Sequence, residues 1–206
     1  MQVGAAHAVP IARRGCLARR HARYLQPFAR KGQAMIGEWY AGVRVLHILF
    51  AAFWVGSAVF FTLYVTPAIR ATGLHGAPVM AELMRRRMGG FIAAAAMLTV
   101  LSGLWMYWIF TNGFDAAIMG HGAGLALGIG GLCGITAAVI GGAVIGRAVE
   151  RAGALSRQVA QLPEGGEREA TMQSVEALQR RVATFSRLAV VLLVTALVAM
   201  AIAHAL

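Results

Sequence analysis

The stretch Val45–Ile69, VLHILFAAFWVGSAVFFTLYVTPAI, contains no Asp, Glu, Lys or Arg. At a rise of about 1.5 Å per residue, a helix of this length crosses a hydrocarbon core of roughly 30 Å. Three further stretches share these properties: Met88–Thr111, Ala116–Gly146 and Leu188–Leu206. None of them alternates polar and apolar residues as a strand of a membrane barrel would. The sequence therefore predicts an all-α polytopic membrane protein, a bundle of four transmembrane helices.

The overall composition agrees with a bilayer environment. Of the 206 residues 59% are hydrophobic and only 13% are charged, against roughly 25% charged in a typical soluble domain. The formal net charge is +11, but the basic residues lie almost wholly outside the apolar stretches, where they would flank a membrane. We therefore expect the lipid bilayer, and not a nucleic acid, as the partner of this charge.

The distribution of arginines predicts the topology. The link between the first and second stretches and the link between the third and fourth are rich in Arg, whereas Asn112–Asp115 contains no cation. Cationic links are retained on the cytoplasmic side of a membrane. We therefore expect a multi-pass protein of a bacterial-type inner (plasma) membrane with both termini on the periplasmic side. The arginines of the two links are Arg70, Arg85, Arg86, Arg87, Arg147, Arg151, Arg157, Arg168, Arg180, Arg181 and Arg187.

Residues 1–34 conflict with this topology because they carry seven cations that would lie on the wrong side. A start of translation at Met35 removes the conflict and is the interpretation that we favour. The alternatives are a basic disordered tail, with or without a targeting role, or an inverted topology. The four-helix domain then covers 35–206. The segment 147–187 is expected to form a cytoplasmic helical linker, made of extensions of the third and fourth helices joined by a turn at Pro163-Glu164-Gly165-Gly166.

Three histidines are candidates for a site near the outer surface. His47 lies about one turn inside the first stretch, where an ionisable group is costly without a partner. Under the predicted topology His121 and His204 lie on the same side. Two imidazoles that face each other can ligate a b-type haem, and three can hold copper or zinc. Trp54, on the same helical stripe as His47, is included among the candidate cofactor-binding residues. The alternative is a structural role, with His47 bonded to a neighbouring helix and the other two at helix ends.

Glycines recur at intervals of four in the third stretch. One row contains Gly120, Gly124 and Gly128, and a second contains Gly130, Gly134, Ala138, Gly142 and Gly146. Such rows allow a neighbouring helix to approach closely. They could also leave room for the flat face of a tetrapyrrole, but they predict packing more directly than function.

Short motifs resemble the CopD-type family of membrane proteins, which includes copper-resistance protein D and is similar to the HemJ-type protoporphyrinogen oxidases. They are Leu46-His47 with Trp54-Val55-Gly56 and Pro67, Arg85-Arg86-Arg87, Gly103-Leu104-Trp105, and the closing Met200–His204. The resemblance implies that His47 matches a histidine thought to bind haem together with a lysine near the start of the third helix. Here that neighbourhood reads Met119-Gly120-His121 and contains no lysine, so His121 would have to replace it.

The sequence thus predicts a haem b-binding membrane protein, with His47 as one axial ligand and His121 or His204 as the other, that carries electrons or serves another haem-linked redox role. One alternative, implied by the same resemblance, is copper transport or resistance through the three histidines and the methionines of the helices. Another is a non-catalytic subunit that packs against other membrane redox subunits. No catalytic residue is assigned, and both enzymatic activity and oligomeric state stay open.

Overall fold

The computed structural model describes residues 37–72 and 76–206, and the predictions for residues 1–34 lie outside this part. In chain order the helices are α1 Gly37–Ile69, α2 Gly76–Arg85, α3 Met88–Phe110, α4 Ala116–Met119, α5 Gly122–Val159 and α6 Gly166–Ile202. Four of them, α1, α3, α5 and α6, are long and apolar enough to cross a membrane. The described residues contain no strand. The predicted all-α class is confirmed, and the chain is a multi-pass membrane protein.

The two longest helices continue beyond their apolar parts. Helix α5 runs on to Val159, and α6 begins at Gly166, far ahead of its apolar stretch. Their charged extensions contact each other as their apolar parts do, and the residues between them, 160–165, form the turn. The segment 147–187 therefore consists of the C-terminal extension of α5, the turn and the N-terminal extension of α6.

Two segments of π-helix interrupt the membrane helices. In α1 the segment is Phe61–Val65, and the N–H of Thr66 donates to the carbonyl of Phe61, five residues back. The next donor in this pattern would be Pro67, which has no N–H. A proline commonly disturbs the regular ladder in this way. The second segment, Ile140–Gly146, lies in α5, and both segments contact α6.

The centre of the bundle is built mainly from small side chains. Its buried cluster contains Trp54, Val55, Ala95, Ala96, Ala137, Ala189 and Leu193. Large apolar side chains such as Leu49, Phe91, Leu132 and Val191 are instead exposed on the outside. Since lipid is as apolar as a leucine side chain, membrane helices associate through close packing of small residues. The exposed apolar surface is therefore the surface that meets the bilayer.

A tight turn joins α3 to α4. Three consecutive residues, Asn112, Gly113 and Phe114, have positive φ angles. Thr111 is fully buried, and its hydroxyl donates to the carbonyl of Tyr107 at 2.8 Å and accepts the N–H of Phe114 at 3.1 Å. The carboxylate of Asp115 accepts the N–H of Ala117 at 2.8 Å and caps α4. This turn joins the C-terminal end of α3 to α4, which directly precedes α5.

Candidate functional site

His47 lies between α1 and α3 with one ring nitrogen fully engaged. Its Nδ1 is 3.0 Å from the carbonyl oxygen of Thr99 and 3.0 Å from Oγ of Ser102. The Ser102 hydroxyl donates its hydrogen to Leu98 O at 2.6 Å, so toward Nδ1 of His47 the Ser102 oxygen is an acceptor. The carbonyl oxygen of Thr99 is also an acceptor, since a carbonyl has no hydrogen to donate. Nδ1 therefore carries the hydrogen, and in the neutral ring Nε2 carries the lone pair.

The position of the His47 ring depends on a glycine in α3. A Cβ atom placed on Gly103 would lie 2.7 Å from Cε1 of His47, 3.3 Å from Nδ1 and 3.7 Å from Nε2. Real Cβ atoms do not approach this closely, so any larger residue at 103 would collide with the imidazole. Gly103 thus provides the space in which the ring reaches Thr99 and Ser102.

His204, just beyond the end of α6, contacts α1. A guanidinium nitrogen of Arg44 meets Nε2 of His204. Because a guanidinium group only donates, Nε2 of His204 is the acceptor and its lone pair is taken. Arg44 precedes His47 by three residues, so the two side chains lie about one turn apart on the same side of α1. The N-terminal part of α1 and the C-terminal end of α6 are in contact at this point.

His121 is exposed and lies at the N-cap position of α5. Its Nδ1 is 3.2 Å from the carbonyl oxygen of Ala117 in α4, and its side chain makes no capping bond to α5. Since that carbonyl accepts, Nδ1 again carries the hydrogen and Nε2 the lone pair in the neutral ring. The side chain is positioned by the short helix α4.

Trp54 belongs to the central cluster of the bundle. It is 7% exposed and packs with Val55, Ala95 and Ala96. It follows His47 by seven residues, which places it about 10 Å further along the helix axis. The structure thus shows Trp54 in a packing role, two turns deeper in the membrane than the histidine.

The three histidines do not form one cluster of ligands. Across residues 37–72 and 76–206 no three His, Cys, Asp or Glu side chains gather in a group that could hold a metal ion. The donor set does not fit a three-histidine copper or zinc site, which needs its ligands around one ion. His47 does fit one axial ligand of a haem, because the N–H at Nδ1 is held by a carbonyl and Nε2 retains its lone pair.

The glycine rows pack only in part as expected. A Cβ on Gly128 would lie 2.8 Å from Oη of Tyr107, and a Cβ on Gly130 would lie 3.2 Å from the carbonyl oxygen of Ala196 in α6. A Cβ on Gly134 or Gly142 would meet nothing within 4 Å. In the first row, Gly128 thus contacts α3, whereas a Cβ on Gly120 or Gly124 would meet the backbone of α4. In the second row, Gly130 faces α6.

Three residues that position the site were not singled out from the sequence: Thr99 and Ser102 at His47, and Arg44 at His204. Gly103 was noted only as part of a motif, and its contact with the His47 ring was not predicted. The hydrogen bond from the Tyr107 hydroxyl to Gly124 O at 3.1 Å was not predicted either. The spacing of Thr99, Ser102 and Gly103 within one turn of an apolar helix is a weak signal that could have indicated a polar face.

Comparisons with protein-family models, with curated proteins and with solved structures found no match to this chain. The resemblance to CopD-type proteins therefore stays a prediction.

Proposed function

We propose that this protein binds haem b within the membrane and serves a redox role, with Nε2 of His47 as one axial ligand. The observation that carries the proposal is the bond from Nδ1–H of His47 to the carbonyl of Thr99, shared with Ser102. A hydrogen bond of this kind to a backbone carbonyl fixes the tautomer of a ligating histidine and raises its basicity. The resemblance of the motif around His47 to a haem-binding histidine points in the same direction.

The second axial ligand is assigned to His121. Of the two remaining candidates, His204 has Nε2 engaged by Arg44, whereas the described contact of His121 uses Nδ1 and leaves the lone pair on Nε2. Arg44, at the outer end of the apolar stretch, provides a cation for a propionate group. When bound, haem b supplies one-electron chemistry at its iron.

The proposal includes an orientation. The arginine-rich links would lie in the cytoplasm, and Arg44, His121 and His204 would face the periplasmic side of a bacterial-type inner membrane. Fusion of alkaline phosphatase, which is active only outside the cytoplasm, to the C-terminus tests this arrangement. An active fusion is expected, and an inactive but stable fusion would contradict it.

Haem binding is tested by a reduced-minus-oxidised spectrum of the full chain, expressed with excess haem and purified in detergent. We expect a b-type spectrum that disappears in His47→Ala and changes in His121→Ala. His204→Ala is the matched control, because it removes a histidine from the same membrane surface, and it should retain the spectrum.

The absence of haem from the wild-type protein under these conditions would reject the proposal. Bound copper in place of haem, lost in His47→Ala, would support the copper-transport alternative. A protein that purifies with stoichiometric membrane partners, and with neither haem nor metal, would favour the structural-subunit alternative.

A further inference from the structure

A small cavity lies between α1 and α6, at the opposite end of the bundle from the three histidines. Its volume is about 120 Å³, and it is lined by Thr62, Thr66, Pro67, Ala183, Ser186 and Arg187. This volume is well above the roughly 10–15 Å³ needed for a single water. Pro67 is near the end of the apolar part of α1, and Arg187 immediately precedes the apolar stretch of α6. The cavity therefore lies at the boundary of the membrane, on the side of the arginine-rich links.

The lining of the cavity is suited to an anion. It contains one guanidinium group and three hydroxyl groups and no carboxylate. In the part of the chain that the structure describes, Arg187 forms no ion pair, whereas Arg85 and Arg86 on the same side are both bound to Glu82. A guanidinium group with neighbouring hydroxyls offers the directed hydrogen-bond donors that phosphate oxygens accept.

The backbone of α1 helps to form the cavity. Thr62 belongs to the π segment Phe61–Val65, and Thr66 and Pro67 follow it directly. Because a π-helix is wider than an α-helix and Pro67 cannot continue the ladder, the wall of α1 departs from regular packing at this point. The π segment and Pro67 thus contribute to the wall of the cavity.

The surface next to the cavity favours a lipid over a soluble anion. Leu188 directly follows Arg187, and Val191 lies one turn further into the membrane; both are exposed. An acyl chain can lie on these side chains while its headgroup occupies the cavity. Basic pockets between membrane helices on the cytoplasmic side commonly bind anionic headgroups.

We propose that the cavity between α1 and α6 binds the phosphate headgroup of an anionic phospholipid through Arg187 and the hydroxyls of Thr62, Thr66 and Ser186. This proposal is independent of haem, since it uses different residues at the other membrane surface. It predicts a specific, saturable lipid site.

Native mass spectrometry of the detergent-purified full chain tests the proposal. The probes are phosphatidylglycerol and phosphatidylcholine with identical acyl chains, so only the headgroup differs. We expect one phosphatidylglycerol to bind in preference to phosphatidylcholine. Arg187→Gln should weaken this binding about tenfold, the effect of losing a charge-assisted hydrogen bond, and Thr66→Val should weaken it by a smaller factor.

The matched control is Arg151→Gln, which removes the same charge from the same link at a residue that does not line the cavity. It should leave binding nearly unchanged. Detergent without other anionic lipid removes the surface potential that would attract any cation. Circular dichroism and gel filtration verify folding, and Thr66→Val, which preserves side-chain shape, keeps the test decisive if Arg187→Gln does not fold.

Three results would overturn the proposal. Equal losses in Arg151→Gln and Arg187→Gln would show a diffuse attraction to positive charge. Equal binding of the two lipids would remove the role of the anionic headgroup. Displacement of phosphatidylglycerol by an excess of inorganic phosphate, with inorganic phosphate alone bound in an Arg187-dependent way, would assign the cavity to a soluble anion.

Discussion

The imidazole of His47 occupies the space that a side chain on Gly103 would need. A Cβ on residue 103 would lie 2.7 Å from Cε1 of the ring. The Nδ1–H of the same ring donates a hydrogen bond to the carbonyl oxygen of Thr99. The two residues therefore fit together as a pair: the histidine reaches its acceptors only because the facing helix has no side chain at this position.

The first prediction concerns this pair. Gly103→Ala should displace the His47 ring and break its bonds to Thr99 and Ser102, at a cost of about 1–3 kcal/mol of stability. If His47 ligates haem, the b-type spectrum should also weaken. Unfolding in mixed detergent and the haem spectrum measure the two effects. Gly56→Ala, where a Cβ would meet nothing within 4 Å, is the control, and an equal effect in both variants would contradict the argument.

The second prediction concerns Tyr107 and Gly128. Gly128→Ala places a Cβ 2.8 Å from the phenol oxygen but 3.6 Å from Cζ, so the collision is with the hydroxyl. Tyr107→Phe removes that oxygen and loses only its bond to Gly124 O, worth about 0.5–1.5 kcal/mol.

The double variant Tyr107→Phe/Gly128→Ala should therefore be less destabilised than the sum of the two single variants. A double-mutant cycle of unfolding free energies measures this coupling. Strict additivity of the two changes would show that the hydroxyl and residue 128 do not meet.

The third prediction compares two adjacent glycines of α5. A Cβ on Gly130 would lie 3.2 Å from Ala196 O and 3.3 Å from Cγ of Met200, whereas a Cβ on Gly131 would meet nothing within 4 Å. Gly130→Ala should separate α5 from α6 and destabilise the protein by about 1–3 kcal/mol. Gly131→Ala should be neutral or slightly stabilising, since alanine is the better helix former. Equal midpoints in a detergent unfolding series would refute the assigned face of α5.

The fourth prediction concerns Glu82 in α2, outside the membrane helices. Hydrogen bonds from Arg85, and then from Arg86, lower the pKa of the Glu82 carboxyl below its ordinary value. A group whose pKa is lower in the folded state stabilises the fold above its unfolded pKa, and this contribution is lost as the pH falls through the folded pKa. The contribution is small because the groups are exposed.

Carbon-13 NMR of glutamate-labelled protein in detergent measures the titration of Glu82 directly. Arg85→Gln should move the pKa of Glu82 back toward its ordinary value, and Arg151→Gln should not change it. A titration that is identical in Arg85→Gln and wild type would contradict the assigned cause.

One residue of the site, His47, could be predicted from the sequence for a simple physical reason. An imidazole at position 47, within a charge-free stretch, is costly without a partner, and this cost alone singles out His47. Its partners could not be identified in the same way, because Thr99, Ser102 and Gly103 are ordinary residues whose importance depends on α3 facing α1. Trp54 is on the stripe of His47, yet it packs into the central cluster.

The ends of the helices were also predicted only in part from the sequence. Hydropathy located the apolar parts of the helices, and the helix-forming residues of 147–187 predicted that two helices extend beyond them. Only the structure gives the start of α6 at Gly166, because the polar–apolar boundary marks the membrane surface and not the end of a helix. The turn at Pro163–Gly166 was indicated by its residue types, since proline and glycine disfavour a continuous helix.

The sequence by itself determined that this is an all-α membrane protein with four spans, because the requirement for a long, uncharged, internally hydrogen-bonded segment is local. The neighbours of each helix were decided only by the tertiary structure. In a bilayer the lipid-facing and core-facing sides of a helix are both apolar, so periodicity does not reveal the buried face. Which face each helix turns toward its neighbours decides three features of this protein. They are the contact of Arg44 with His204, the contact of the His47 ring with Gly103 and the cavity beside Arg187.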